Sequence, residues 1–158
     1  MPNKRLNQTY TASLVLCFRY AYTKQSTTFR RLSRALAHNM KPTIQWTEDW
    51  EVGIDIPKES EMAQQILDLF VEFWDDERIE EKSKSTLNRY RSALMSLGGY
   101  VVEQSISEDD KEKNAKELLL ACIDDEGGPF LFQDEETWQN EFDMVCRKLH
   151  KYYTHKKC

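Results

Sequence analysis

The sequence predicts an all-α body, a compact four-helix bundle, preceded by a basic N-terminal extension. Three observations carry that prediction. Four segments after residue 58 repeat apolar residues in alternating three- and four-residue steps, the period of one helix face. Only 5 Gly and 4 Pro in 158 residues leave too few turn formers for a β-sandwich or a low-complexity chain. The charge also reverses along the chain. Residues 1–47 hold Lys4, Arg5, Arg19, Lys24, Arg30, Arg31, Arg34 and Lys41 and no carboxylate, whereas residues 48–158 hold 14 basic and 27 acidic side chains, a net −13. The division that follows is a basic extension over 1–45 and a helical domain over 46–158.

Within the extension, residues 8–23 alternate Leu14, Leu16, Phe18, Tyr20 and Tyr22 with smaller or polar residues. That is the pattern of a short strand, although a buried helix segment accommodates it too. Residues 27–40 read as one helix, capped by Thr27 or Thr28 and stopped by Pro42. Phe29, Leu32, Leu36 and Met40 line one side, and Arg30, Arg31 and Arg34 lie off it. Such a basic amphipathic helix suits phosphates, a membrane surface or an acidic protein face, and is also a common plain surface helix. Residues 43–57 lack helical spacing and read as an extended linker whose Trp46 and Trp50 pack onto the body.

The first helix of the domain is expected over 59–76. Met62, Ile66, Leu69, Phe70 and Phe73 make its apolar face, and Leu67, Val71 and Trp74 widen it, which implies burial on more than one side. Residues 75–85 are charged and read as a loop. Ser83 or Ser85 caps the second helix, whose stripe is Leu87, Tyr90, Leu94, Leu97 and Val101. Gly98 and Gly99 interrupt it at a cost of roughly 2 kcal/mol relative to alanine. The stripe continues past them, so they mark a close backbone approach rather than a break. The third helix starts at Ser107 to Asp110, turns Ala115, Leu118, Leu119, Cys122 and Ile123 inward, and ends at Gly127 and Pro129. The run Phe130 to Phe132 then plugs the core. The fourth helix, over 134–154, is capped by Asp134 and buries Trp138, Phe142, Val145, Leu149 and Tyr152. Arg147, Lys148, Lys151, Lys156 and Lys157 load its C-terminal end, where the helix dipole favours cations.

No Gly-rich phosphate loop, HExxH, GxSxG or CxxC is present, so neither an enzyme activity nor a cofactor nor a small-molecule substrate is expected. No run of about 18 apolar residues exists to span a membrane. Cys17, Cys122, Cys146 and Cys158 show no framework spacing, which suits reduced thiols in a cytoplasm. Cys146, His150, His155 and Cys158 are ligand types for tetrahedral zinc, with Cys146 and His150 on one helix face. Cys146 also lies on the apolar stripe, where it reads better as a small buried hydrophobe, and no metal site is assigned. The acidic clusters Asp75-Asp76-Glu77 and Asp124-Asp125-Glu126 lie beside helix ends and read as solvated faces.

Three stretches carry a resemblance: Ile66 to Trp74; Ser83-Lys84-Ser85-Thr86-Leu87-Asn88-Arg89-Tyr90-Arg91-Ser92-Ala93-Leu94; and Phe142 to Tyr153. Over about residues 60–155 the chain resembles the SAM-like core-binding domain of tyrosine recombinases and phage integrases. That resemblance implies a helical module of a bacterial mobile element whose second and fourth helices approach DNA. The chain departs from the family in lacking its catalytic domain, with no His-x-x-Arg anywhere. A non-catalytic nucleic-acid-binding module would then use Arg30, Arg31, Arg34, Lys82, Lys84, Arg89, Arg91, Arg147, Lys148 and Lys151, residue types suited to phosphate contact. The alternative is an acidic interaction factor, such as an inhibitor, adaptor or antitoxin-like protein, that covers a basic protein partner.

Overall fold

The computed structural model describes residues 40–156. The strand-or-helix segment expected over 8–23, the basic helix expected from residue 27, Arg30, Arg31, Arg34 and Cys158 lie outside the described residues. The described residues form five α-helices and one 3-10 turn, and no strand occurs among them. They are α1 (Gln45–Trp50), α2 (Ile56–Asp76), the 3-10 turn (Ile79–Glu81), α3 (Lys84–Ser105), α4 (Ala115–Cys122) and α5 (Glu136–His155).

The two long central helices follow their stripes. Pro57 opens α2, where a missing N–H costs nothing, and Asp55 caps it by accepting from the Lys58 N–H. Ile66, Phe70, Phe73 and Trp74 of α2 are fully buried, and Met62 and Leu67 nearly so, the two-sided burial that its broad face predicts. Ser83 caps α3 by accepting from the Thr86 N–H. α3 is the axis of the body, because it packs against α1, α2, α4 and α5 alike. Tyr90, Leu94, Leu97 and Val101 lie at its contacts and are buried.

The remaining elements depart from expectation, each for a local reason. Residues 45–50 are helical instead of extended. Six residues are too few to hold a helix alone, and the helix exists because Trp46, Thr47 and Trp50 are buried against the body. The charged stretch after α2 is not all loop: Arg78 adopts left-handed backbone (φ 48°) and turns the chain so that Ile79 is fully buried. Ser107 does not start a helix. Its hydroxyl bonds to Asp110 within a run of turns, and α4 begins at Ala115 behind a capping box made by Asn114 and Glu117. α4 ends at Cys122, well before Gly127, once Ile123 turns extended and buries its side chain. Of the Phe130-Leu131-Phe132 run, Leu131 and Phe132 are half-buried against the core, but Phe130 is 62% exposed. Glu135, not Asp134, is the N-cap of α5, and no side-chain bond caps it. On α5, Phe142, Val145 and Leu149 are buried as expected, whereas Trp138 is half exposed. Cys146 and Tyr153 take inner positions beside them, and Gln139 is buried as well.

The glycine pair of α3 is a close-approach site. The Trp50 indole lies over Gly98, where an added Cβ would stand 2.2 Å from its Cζ2, and its Nε1 donates to the Met95 carbonyl at 2.9 Å. Gly99 leaves more room, its nearest neighbour to an added Cβ being Trp50 Cδ1 at 3.4 Å. The two substitutions therefore separate propensity from packing. Gly98→Ala should lower stability by about 1–3 kcal/mol through overpacking, against a propensity gain of about 1 kcal/mol. Gly99→Ala should be neutral or stabilising. Paired denaturant melts decide this, and equal effects at the two sites would contradict the contact.

Candidate interaction surfaces

Of the seven described cations expected to meet nucleic acid, four are engaged with or half-buried in the body itself. Arg89 pairs with Glu141 at 3.2 Å. Arg91 is half-buried, and burial pulls its guanidinium below its usual pKa. Arg147 donates to the Glu126 carbonyl at 3.1 Å and so holds the 124–128 turn against α5. Lys148 donates to the Tyr90 hydroxyl at 2.9 Å and lies over that ring, 5.5 Å from its centroid. Lys82, Lys84 and Lys151 are the remaining three, and none of them forms an ion pair with another described residue. Lys82 and Lys84 stand at the start of α3, while Lys148 and Lys151 line an open depression of about 550 Å³ at the C-terminal end of α5.

Acidic groups share that depression. Its other lining residues are Asp76, Glu77, Tyr152, His155 and Lys156. Carboxylates at the end of α2 oppose the helix dipole, and lysines offset them: Lys41 pairs with Asp75 at 2.7 Å, and Lys156 lies 2.5 Å from Glu72 and 3.0 Å from Asp76. Tyr152 donates to Asp76 at 2.5 Å, and this hydroxyl, then Lys156, holds the Asp76 carboxyl below its ordinary range. Tyr153 donates to the Leu69 carbonyl at 2.6 Å, joining α5 to α2. The end of the bundle is thus a lattice of mixed sign. Its floor is not uniformly positive.

A second surface faces outward between α1 and α2. The Glu59 side chain is wholly buried, yet four backbone donors converge on it. The N–H groups of Val52 and Gly53 donate to Oε2 at 2.5 and 2.9 Å, and those of Ile54 and Asp55 donate to Oε1 at 2.8 and 2.7 Å. Gly53 supplies the left-handed backbone (φ 89°) that lets consecutive amides point the same way. With the amides turned inward, Val52, Ile54 and Ile56 point to solvent at 50%, 71% and 58% exposure. Burial pushes the Glu59 carboxyl up, but the four donors outweigh it and leave its pKa below the ordinary 4.5.

Gln139 plays a similar part on α5. Its Oε1 accepts from Leu131 and Phe132, and its Nε2 donates to the Pro129 carbonyl and to Asp143. All its polar capacity is used in seating the 128–132 segment. Neither Glu59 nor Gln139 stands out in the sequence. The available signals were Pro57 two residues before Glu59, which marks the first helical turn, and a polar residue three positions before Phe142 on an apolar stripe.

The two described cysteines are sheltered thiols. Cys146 is fully buried, with burial raising its pKa well above the usual value, and burial pushes Cys122 up to about 12. His155 is exposed, and among the described residues no group of three or more His, Cys, Asp or Glu is placed to hold a metal ion. No helix among the described residues is long and apolar enough to cross a membrane. Comparison with protein-family models, curated proteins and solved structures finds no match to this chain.

Because the folded state depresses the Glu59 pKa, its stabilisation is complete above the ordinary carboxylate value and disappears as pH falls through the lower folded value. Glu59→Ala should cost about 3 kcal/mol or more at neutral pH, since it strands several buried amides at once. That deficit should shrink on acidification. Denaturant midpoints of both chains against pH measure it, and a deficit independent of pH would show that the charge is not what holds the loop.

Proposed function

We propose that this chain is a protein-interaction factor that engages a basic surface of a partner protein through its acidic helical body. One observation supports this reading above others: the described residues carry 27 carboxylates against 14 cations, and Glu59 is the only carboxylate of the set that is buried. Such a surface attracts a basic partner, speeds encounter with it and repels polyphosphate. The occupied state of Arg89, Arg147 and Lys148 points the same way, because a phosphate would have to displace contacts these side chains already make.

A second reading keeps one specific support. Lys84, Lys148 and Lys151 lie at the start of α3 and the end of α5, the two helices that the recombinase resemblance brings to DNA, and Lys148 and Lys151 share one depression. Phosphate contacts there would position a duplex without reading its sequence.

The 158-residue chain titrated with duplex DNA across a salt series separates the two. On the interaction-factor reading, replacing Lys148 and Lys151 together by glutamate leaves the logarithmic salt slope unchanged. If α3 and α5 carry DNA, the slope falls by about one for each phosphate contact removed. In parallel, capture from nuclease-treated lysate should yield a stoichiometric basic protein that salt elutes. Capture of nucleic acid alone before nuclease treatment, and of nothing after it, would refute the proposal.

A further inference from the structure

The loop between α1 and α2 presents three branched apolar side chains on a backbone whose amides are already hydrogen-bonded within the chain. Val52, Ile54 and Ile56 are each at least half exposed, and the amides of residues 52–55 are held by one buried carboxylate. A loop that must order itself on binding loses affinity to entropy, and bonds that hold the loop before binding reduce that loss. Its electrostatic setting is mainly acidic. Residues 43–58 include Glu48, Asp49, Glu51 and Asp55 against a single basic side chain, Lys58. An apolar knuckle in a segment rich in carboxylates is complementary to a segment that has an apolar face flanked by Lys and Arg.

From this we infer that residues 52–56 are the docking knuckle for a basic amphipathic segment of a partner protein, with its apolar face on Val52, Ile54 and Ile56 and its cations on the adjacent carboxylates. The inference rests on the interaction-factor reading and gives that reading a location. A second copy that met this surface with its own 52–56 loop is the poorer occupant, because it would bring the same carboxylates against each other.

The test uses the full chain and two synthetic peptides, a helical Leu/Lys amphipath and a scrambled isomer of identical composition, with binding followed by calorimetry. The amphipath should bind at least about tenfold more tightly than its isomer, and Ile54→Ser should remove about that factor. Phe130→Ser, at another exposed apolar residue, should not alter it. Ile54 is exposed, so thermal melts of the variant should match the parent. Binding of neither peptide overturns the interaction-factor reading and the knuckle with it. Equal binding of the two peptides, or amphipath binding unaffected by Ile54→Ser, leaves a basic partner in place and overturns the knuckle. Concentration-dependent self-association that Ile54→Ser abolishes assigns the surface to a second copy and also overturns it.

Discussion

The contact of the Trp50 indole with Gly98 is the constraint on which the outer architecture depends. A six-residue helix has no independent stability, so α1 persists only where its indoles find a wall. Gly98 lowers that wall by one side chain, and the Met95 carbonyl receives the indole N–H that would otherwise be buried without a partner. Trp46 and Phe70 meet the same ring edge-on, at centroid separations of 6.1 and 5.9 Å, so the anchor joins α1, α2 and α3. Once Trp50 is seated, the chain has only five residues, 51–55, to reach the start of α2. That short span brings four amides over Glu59 and gives the loop its form.

The surface follows from the same economy of partners. Helix α3 is enclosed by other helices, which leaves little of it to present outward. Several cations on α3, on α5 and just after it join elements: Arg89 to α5, Arg147 to the 124–128 turn, Lys148 to the Tyr90 ring, Lys156 to α2. Carboxylates outnumber them, and among the described residues all but Glu59 keep some contact with water. A body built this way has an acidic exterior with few surplus positive groups, and its exposed apolar side chains are confined to a few loops and helix starts.

The long-range pattern of the fold was legible and its short elements were not. The stripes of α2 and α3 could be read because each spans many turns and buries what its period predicts, and the close approach at Gly98 followed from a stripe that ran on past a glycine pair. Helix α1 had no period to show, since tertiary contact makes it. The start of α4 was misplaced because Ser107 and three acids imitate a helix N-terminus, while the operative signal, Asn114 with Glu117 three residues on, lay within the charged run. On α5 the apolar Trp138 looked like core, yet it is half exposed while Gln139 beside it is buried, because the 128–132 segment needs a group that can accept and donate at once. Glu59 escaped for a related reason. A single glutamate in a charged sequence looks solvated, and only the geometry of the preceding loop reveals four donors aimed at it.

The way Glu59 consumes the loop amides has a further consequence. An exposed Val-Gly-Ile-Asp-Ile segment has the composition of an edge strand, and a free edge would invite a neighbouring chain to add its own backbone in register. Here the N–H groups of residues 52–55 are already committed to a carboxylate. The segment therefore shows hydrocarbon without showing a template, and it is guarded against sheet extension and fibrillar growth by an acid that never reaches the solvent.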